Sequence, residues 1–340
     1  MRAAVQFVVI AGGFGTRLRP LTLRRPKALL PLLNRPQILH VLDRLPPACD
    51  RVVVAVNYMY ESVRDYFEGL DSDVEVVVVN EPQPLGTGGA IKNVEDHVSG
   101  TFAVANGDVI DRIDFRDFLK FHSRHGGIGS LGVGAVEDPT AFGVVALDGE
   151  RITRFVEKPQ EAEAPSNLVN AGRYLLEPEV FDVIESGRVV SMEREVFPAL
   201  IPRGLYAYRE PGYWSDAGTL TAYLEAQRLL LEDGGAGLAK AADASRADVR
   251  PPVLVAAGSF VEGHLGPNVV LGRSCKIGRA TLRNATLFDG VSVDDKVEID
   301  LSILGEGVAV GEGALVRNSI VGDGVQIPPH TKVLGARVDR

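Results

Sequence analysis

The chain has 340 residues, 45% of them apolar and 24% charged, which is enough for one large soluble domain or two ordinary ones. Its net charge of -9 and pI near 5.3 exclude a general nucleic-acid surface, which needs an excess of basic residues. No apolar run approaches the roughly 18 residues of a membrane span, and the only two cysteines are Cys49 and Cys275. We therefore expect a cytoplasmic protein with reduced thiols and no membrane or nucleic-acid partner.

The first signal along the chain is a charge imbalance. No acidic residue precedes Asp43, whereas seven basic residues do: Arg2, Arg17, Arg19, Arg24, Arg25, Lys27 and Arg35. A local positive field inside an acidic protein predicts a small anionic ligand rather than a polyanionic surface partner.

Four valine-rich stretches follow one another in the first third of the chain. They are VQFVVIAG, DRVVVAVN, VEVVVVNE and TFAVANGD, and helical patterns such as PQILHVLDRL and SVRDYFEGL lie between them. Unbroken apolar strands are typical of a parallel sheet covered on both faces, so the succession predicts a doubly wound, Rossmann-like α/β domain over residues 1–232. Ligands of such sheets bind at the carboxyl ends of the strands, and this places Gly12, Gly13, Asn106 and Asp108 at one rim.

The last third of the chain has a different pattern of residue types. Residues 219–232 have the apolar spacing of a helix, and residues 233–252 have the Gly, Ala and Asp content of a linker. Over residues 253–338, small or branched apolar residues recur mostly every six positions. This period predicts a left-handed parallel β-helix of hexapeptide repeats. A β-sandwich is the alternative, although its strands recur at about 8 to 12 residues.

The glycine-rich turn GGFG, residues 12–15, follows the first predicted strand. Glycines let backbone N–H groups approach phosphates closely, although this turn fits neither the dinucleotide-binding pattern nor the phosphate-loop pattern. Arg17 and Lys27 lie eleven residues apart with no competing acid, which favours a clamp on a triphosphate. The alternative is a tight strand–helix turn with a solvated basic face.

GGFGTRLRPLT followed by PKALLPL resembles the signature of nucleoside-diphosphate-sugar pyrophosphorylases, also called sugar-1-phosphate nucleotidyltransferases. Further family motifs follow in the same order: EPQPLGTGGAI, ANGDV, FVEKP, NAGRYLLEPEVF, SMEREVFPAL and GYWSDAGTLTAYLEA. They span nearly the whole chain and resemble most the mannose-1-phosphate guanylyltransferase branch. The resemblance implies an enzyme that joins a nucleoside triphosphate, with GTP preferred, to a sugar 1-phosphate and releases pyrophosphate.

The implied reaction needs no protein nucleophile, because the sugar phosphate is already ionised. Catalysis then rests on positioning and on neutralising phosphate charge. The resemblance implies a Mg²⁺ cofactor held by Asp108 and Asp216, each of which would otherwise be a turn or helix cap. Asp111 is interpreted as a cap or surface residue.

The resemblance also implies the residues that hold the nucleotide. Arg17 and Lys27 would stabilise charge on the reacting phosphates, whereas Arg24 and Arg25 are interpreted as a solvated edge. The remaining nucleotide contacts are assigned to Gly12, Gly13, Gly15, Thr16, Glu81, Gly86 and Thr87.

Glu81 carries the prediction of nucleotide identity. It occupies a position where the uridylyl and thymidylyl branches usually have Gln. Guanine presents two adjacent N–H donors, and a carboxylate accepts both, whereas an amide suits uracil or thymine. Glu81 therefore favours GTP, unless it is a surface residue that never meets a base.

The sugar phosphate is assigned to a separate group of residues by the same resemblance. Lys158 would bind the phosphate, and Glu157 and Asn170 would accept or donate hydrogen bonds to sugar hydroxyls. Gly143 and Gly172 would bring the backbone close to the sugar ring, although an ordinary turn explains either glycine equally well.

Two alternatives remain for the function of the chain, and a third concerns the β-helix alone. The chain resembles other branches too, which use glucose 1-phosphate with UTP or dTTP, or a cyclitol phosphate. A non-catalytic regulatory subunit is a second alternative, although such a subunit is expected to lose the metal aspartates or the glycine turn. The β-helix is expected to assemble a homo-oligomer. Acyl transfer is the alternative there, and His264 and His330 lie in no recognised motif for it.

Overall fold

The computed structural model of the chain describes residues 5–46, 49–209, 212–238 and 242–340, with Leu238 described by its backbone alone. Residues 239–241 of the predicted linker lie outside this part. The chain divides into two units, Met1–Gly13 with His40–Trp214, and Phe14–Leu39 with Ser215–Arg340. The glycine-rich turn is therefore shared, because the division falls after Gly13.

In the described residues, the helices are α1 (Gln37–Leu42), α2 (Tyr60–Glu68), α3 (Gly86–Lys92), α4 (Phe115–His125), α5 (Phe197–Leu200) and α6 (Leu220–Leu230). The strands before residue 217 are β1 (Gln6–Ile10), β2 (Pro31–Leu32), β3 (Arg35–Pro36), β4 (Arg51–Val56), β5 (Glu75–Asn80), β6 (Phe102–Asn106), β7 (Val109–Asp111), β8 (Gly129–Ala135), β9 (Gly143–Asp148), β10 (Arg151–Glu157), β11 (Leu168–Leu176), β12 (Leu205–Arg209) and β13 (Trp214–Asp216). No described helix has both the length and the apolar content to cross a membrane.

The first unit is built on a sheet of nine described strands in the order β5-β4-β1-β6-β11-β8-β12-β10-β9. The predicted apolar stretches form β1, β4, β5 and β6, which are all parallel. The α/β class is thus confirmed, but the sheet is mixed, since β11 runs antiparallel to both β6 and β8. The sequence of β8, GSLGVGA, lacks the apolar run that marks the parallel strands.

The carboxyl ends of β1 and β6 lie side by side, as predicted. Ile10 is paired with Asn106, and the Gly107 N–H donates to the Ile10 carbonyl at 2.9 Å. Both strands are buried, with Val8 and Val104 fully inaccessible to solvent. The sheet core therefore fixes the start of the glycine-rich turn beside the turn that carries Asp108.

The remaining strands are short and follow from residue 237 to residue 338. They are β14 (Gly237–Leu238), β15 (Asp248–Val249), β16 (Val253–Val255), β17 (Phe260–Val261), β18 (His264–Leu265), β19 (Val269–Leu271), β20 (Lys276–Ile277), β21 (Thr281–Leu287), β22 (Ser292–Val293), β23 (Glu298–Leu304), β24 (Ala309–Val310), β25 (Leu315–Arg317), β26 (Ile320–Val321), β27 (Gln326–Ile327), β28 (Lys332–Leu334) and β29 (Arg337–Val338).

These strands form a β-helix. Every pairing given for them is parallel, and partners lie 16 or 17 residues apart, as Val269 with Ala285 and Glu298 with Leu315. One coil therefore takes 16 or 17 residues, and the near-six period is the spacing of the faces within a coil. A β-sandwich is excluded, because its sheets are antiparallel. Within the predicted linker, β14 and β15 also pair with strands of the coils.

One corner of the β-helix repeats a left-handed backbone conformation on successive coils. Asn268, Asn284 and Asn318 have φ of 59°, 44° and 49° there, and Leu301 has φ of 48°. Asn268 Nδ2 also donates to Asn284 Oδ1 at 3.0 Å. Asparagine tolerates this conformation better than other residues that have a Cβ, so Leu301 is the strained member of the stack.

Replacing Leu301 with Asn should stabilise the protein by about 1 kcal/mol, because it relieves the left-handed strain and removes a side chain that is 44% exposed. The measurement is the midpoint of thermal unfolding. Leu334→Asn is the control, since Leu334 is 55% exposed and is not among the positive-φ residues. An equal gain in both variants would contradict the explanation.

Candidate active site

The turn that follows Gly13 belongs to the second unit and requires glycine at position 15. Gly15 has φ of 59°, and a Cβ added there would lie 2.7 Å from Thr22 Cγ2 and 3.1 Å from Lys27 Cβ. The Thr22 hydroxyl donates to the Gly15 carbonyl at 2.8 Å. The turn is therefore folded tightly against the segment that carries Lys27, while Thr16 stays exposed.

Arg17 and Lys27 converge on one point in the second unit, beside Gly218. A Cβ added at Gly218 would lie 2.8 Å from Arg17 Nη2, 3.2 Å from Lys27 Nζ and 3.2 Å from the Asp216 carbonyl oxygen. The two cationic atoms are therefore no more than about 6 Å apart, and Lys27 is only 9% exposed. Two cationic groups this close together favour the binding of an anion. The backbone of Asp216 lies beside them.

In the first unit, a buried arginine holds the turn that carries Asp108. Arg173 donates to the Asn106 carbonyl at 3.0 Å and to the Val109 carbonyl at 2.7 Å, one on each side of Asp108. Its Nε lies 2.7 Å from Asp111 Oδ2, in an ion pair whose N–H does not point at the oxygen. One side chain thus fixes the backbone on both sides of Asp108 through two hydrogen bonds and pairs with the nearby Asp111 side chain.

Asp111 was predicted to be a cap or a surface residue, and the prediction that it lies at the surface is wrong. Its Oδ1 does accept from the Ile113 N–H at 3.1 Å, as in a turn, but the residue is 2% exposed. A buried carboxylate needs a charged partner, and Arg173, 1% exposed, supplies it.

Asp108 and Asp216 fit the ligand preference of Mg²⁺. Each residue is half-buried. Mg²⁺ takes one or two carboxylates and completes its shell with water and phosphate oxygens. The donor chemistry therefore matches a magnesium–nucleotide complex.

Glu81 lies beside Gly12 in the first unit. A Cβ added at Gly12 would be 3.0 Å from Glu81 Oε1, and the Asn57 side chain fixes the Glu81 carbonyl at 2.8 Å. Glu81 is 4% exposed, and among the described residues its Oε1 has no hydrogen-bond partner. Burial raises the pKa of the Glu81 carboxyl, and the Leu85 N–H offsets this only in part. Glu81 is thus a buried acceptor rather than a surface residue.

Gly86 and Thr87, at the start of α3, make contacts that are explained by packing. Gly86 has φ of 73°, and a Cβ there would lie 2.5 Å from the Val190 carbonyl oxygen. The Thr87 hydroxyl donates to Glu193 Oε2 at 2.7 Å and accepts from the Met192 N–H at 2.9 Å. The roles of Gly86 and Thr87 toward a nucleotide stay predictions.

The predicted sugar-phosphate residues Gly143, Glu157 and Lys158 are neighbours. Gly143 pairs with Glu157 across β9 and β10, and a Cβ at Gly143 would lie 3.0 Å from Glu157 Oε2. Lys158 Nζ is 3.5 Å from Glu157 Oε1 and its side chain is 59% exposed. Burial, followed by the charge of Glu193, raises the pKa of the Glu157 carboxyl. A half-buried acceptor thus lies beside an accessible cation.

Asn170 and Gly172 form a second polar group on β11. Asn170 Nδ2 donates to the Tyr174 hydroxyl at 3.0 Å, and Asn170 Oδ1 accepts from the Gly172 N–H at 3.0 Å. Trp214 donates to the Ala171 carbonyl at 2.7 Å and meets the Phe142 ring edge-on at 5.1 Å. The structure thus adds an aromatic face next to the predicted polar residues.

Four residues of these groups were not predicted from the sequence. Arg173, Glu193 and Gly218 lie inside quoted motifs, and Trp214 is the single tryptophan of the chain. That single tryptophan, placed one residue before the SDAG motif, is a signal that could have been used. The contacts of the other three are set by the fold and leave no mark in the sequence.

Arg24 and Arg25 were both predicted to be solvated, and the structure confirms this for Arg24 only. Arg24 is exposed, whereas the Arg25 side chain is 17% exposed and pairs with Glu306 and Asp323, each at 2.7 Å. The partners of Arg25 lie almost 300 residues further along the chain.

Comparison with known families identifies the class of protein. The family described as Nucleotidyl transferase matches residues 6–233, and the one described as GMPPB C-terminal domain matches residues 249–339. The chain therefore belongs to the nucleotidyl transferase family, and the resemblance seen in the motifs is confirmed. It is an enzyme that transfers a nucleotidyl group.

Two similar proteins have names that are more specific than the family description. The chain is 37% identical to Mannose-1-phosphate guanylyltransferase 1 of Arabidopsis thaliana, over 88% of this chain and 85% of that one. It is also 37% identical to the mannose-1-phosphate guanylyltransferase of Mycobacterium tuberculosis (strain ATCC 25618 / H37Rv), over 85% and 81% of the two chains. Among solved structures, a UDP-glucose pyrophosphorylase from Acinetobacter baumanii matches with a TM-score of 0.59 and 24% identity, over 66% of this chain and 92% of that one. This last likeness concerns the fold alone.

The buried pair of Arg173 and Asp111 should be critical for stability. Arg173→Met leaves the Asp111 carboxylate buried without its partner, which should lower the free energy of unfolding by about 3–5 kcal/mol. Arg173→Met with Asp111→Leu should recover much of that loss. The measurement is urea unfolding of each variant.

Arg124→Met provides the matched control. Arg124 pairs with Glu150 at 2.6 Å, but both side chains are more than half exposed, so its loss should cost less than about 1 kcal/mol. Equal losses for Arg124→Met and Arg173→Met would contradict the assignment.

Proposed function

We propose that the chain transfers GMP from GTP to mannose 1-phosphate, forming GDP-mannose and releasing pyrophosphate. The observation that carries the proposal is the convergence of Arg17 Nη2 and Lys27 Nζ near Gly218, which suits a triphosphate. The two relatives described above are mannose-1-phosphate guanylyltransferases, which supports the same donor and acceptor.

The phosphates would be held mainly by the glycine-rich turn and the two cations. Gly13 is exposed, and a Cβ there would meet nothing within 4 Å, so a phosphate can reach its backbone N–H. Gly12, Gly15 and Thr16 would add further contacts from the same turn. Arg17 and Lys27 would neutralise the charge that builds up when the sugar phosphate oxygen attacks the α-phosphorus and pyrophosphate leaves.

Asp108 and Asp216 would hold Mg²⁺. When bound, Mg²⁺ neutralises phosphate charge and orients the phosphate oxygens. Arg173 fixes the backbone on both sides of Asp108, which reduces the reorganisation needed when the complex forms.

Glu81 would recognise the base. Guanine offers two adjacent N–H donors, and the buried Oε1 of Glu81 is an acceptor that no described protein group satisfies. Uracil and thymine offer a single donor between two carbonyl groups, so a carboxylate would repel part of their edge. Gly86 and Thr87 would line the nucleotide from the start of α3.

Lys158 would bind the phosphate of the sugar 1-phosphate. Glu157 and Asn170 would hydrogen-bond the sugar hydroxyls, and Gly143 and Gly172 would allow a close backbone approach. The Trp214 ring lies next to Ala171, which is between Asn170 and Gly172, and it meets the Phe142 ring edge-on. The two rings would offer an apolar surface to the sugar ring.

We also propose a cytoplasmic location and a homo-oligomer assembled through the β-helix. Cys49 and Cys275 are both free, which is usual in a reducing compartment. Phe260 and Leu334 are 37% and 55% exposed on the β-helix, which gives it apolar surface for contact with another copy. We retain domain boundaries of 1–232, 233–252 and 253–338.

The choice of nucleotide is tested by a matrix of GTP, ATP, UTP, dTTP and CTP against mannose 1-phosphate, glucose 1-phosphate and a cyclitol phosphate. Pyrophosphate release is the readout. With mannose 1-phosphate, GTP should give a kcat/KM at least about tenfold above that of each other nucleotide, because only guanine pairs with Glu81 through two donors. A kcat/KM that is tenfold higher with UTP or dTTP than with GTP would contradict the proposal. If no pair of substrates released pyrophosphate, a regulatory subunit would be favoured.

The KM for GTP should depend on pH through Glu81. Burial raises the pKa of this carboxyl, so protonation begins at a higher pH than for an exposed glutamate. Only the ionised form accepts two hydrogen bonds, and the KM should therefore rise as the pH falls from about 8 to about 5.5.

The control for this pH effect is Glu81→Gln, which should have a higher KM for GTP and a weaker dependence on pH. Ionisation of GTP itself is common to both proteins, so it cancels in their ratio. An unchanged ratio across the pH range would count against base recognition by Glu81.

Loss of either metal ligand should abolish the reaction. Asp108→Asn and Asp216→Asn keep the side-chain size but remove the charge, and each should lower kcat/KM at least about a hundredfold. Asp117→Asn, an exposed residue of α4, is the control and should be unaffected. Activity near that of the unaltered protein in both variants would remove the metal assignment.

A further inference from the structure

The segment 14–39, which carries Arg17 and Lys27, and the β-helix belong to the same unit. Arg25 links them. Its Nη1 donates to Glu306 Oε1 at 2.7 Å and its Nη2 to Asp323 Oδ2 at 2.7 Å, while the guanidinium lies 5.5 Å from the centre of the Phe288 ring. One side chain therefore contacts three successive coils.

The link is more than a flexible surface contact. The Arg25 and Asp323 side chains are 17% and 12% exposed, so water screens their charges weakly. Asp323 is itself oriented, because its Oδ1 accepts from the Glu306 N–H at 2.9 Å and leaves Oδ2 for Arg25. A guanidinium that meets two carboxylates in this way is strongly fixed in position.

Other contacts of the same segment point to the same coils. Arg337 donates to the Arg19 carbonyl at 3.3 Å, and Asn34 donates to the Leu271 carbonyl at 2.9 Å. A Cβ added at Gly322 would lie 2.9 Å from Pro20 Cγ. The segment is thus attached to the β-helix from Leu271 to Arg337.

Lys27 is two residues from Arg25, and the chain between them is stiff. Pro26 has φ of -64° and ψ of 147°, and Lys27 then begins a short 3₁₀ helix that ends at Leu29. The backbone has little freedom between the two residues. The position of Arg25 on the coils therefore restricts where the Lys27 backbone can lie.

We propose that Arg25 is a positioning residue of the enzyme, through which the β-helix holds Lys27 and Arg17 in the geometry that binds the triphosphate. This inference rests on the proposed function. The acid-free segment has no carboxylate of its own before Asp43, and the β-helix supplies Glu306 and Asp323 in their place. The β-helix is thus part of the catalytic apparatus of its own chain.

The test compares Arg25→Ala with Arg24→Ala in the full chain. Arg24 is exposed and adjacent, so its removal changes the net charge of the segment equally. Arg25→Ala should raise the KM for GTP about tenfold with a smaller effect on kcat, and Arg24→Ala should change neither more than about twofold. Equal KM values in the two variants would overturn the proposal.

A second pair of variants separates positioning from direct binding of phosphate by Arg25. Glu306→Gln with Asp323→Asn removes negative charge, which by long-range electrostatics alone should lower the KM for an anionic substrate. Positioning predicts that the KM rises instead, because Arg25 loses its anchors. Glu312→Gln, an exposed acid of the β-helix paired with Lys296, is the control. A fall in KM in the double variant would contradict the proposal.

Hydrogen exchange provides a readout that needs no substrate. Amides of residues 21–30 should exchange several-fold faster in Arg25→Ala than in Arg24→Ala, with the coils unchanged, and Arg25→Lys should be intermediate. Unchanged exchange in Arg25→Ala would overturn the positioning role. If the unaltered protein releases no pyrophosphate from any nucleotide, the proposed function fails, and the exchange result still shows whether Arg25 holds the segment.

Discussion

Two like charges held within about 6 Å of each other are the constraint on which the proposed chemistry depends. Arg17 and Lys27 approach Gly218, where a larger residue would push them apart. Gly15 makes the approach possible, since its left-handed turn packs on Thr22 and Lys27. Two cationic groups this close together attract an anion, and a polyphosphate carries enough negative charge to contact both.

The two units contribute complementary chemistry. The second unit supplies cations, and the coils of its β-helix bind the segment that carries them. The first unit supplies acceptors: Glu81 and Glu157 are carboxylates whose burial raises their pKa, and each lies against a glycine of the same unit. The proposed phosphate contacts thus come mainly from cationic side chains of the second unit, and the proposed base and sugar contacts come mainly from carboxylates of the first.

Much of this could be predicted from sequence, because the signals are local. Unbroken valine runs marked β1 and β4 to β6, and the absence of acids before Asp43 marked the segment that carries Arg17 and Lys27. The mixed half of the sheet was missed because β8 has glycines in place of an apolar run. The partners of Arg25 and Arg173 were missed because ion pairs between residues far apart in sequence follow from packing and leave no periodic trace.

The most direct test of the central claim is a crystal structure of the chain with GTP, Mg²⁺ and a sugar 1-phosphate. The account predicts phosphate oxygens within hydrogen-bonding distance of both Arg17 Nη2 and Lys27 Nζ, in the space beside Gly218. A triphosphate bound elsewhere, with both side chains facing solvent, would contradict it.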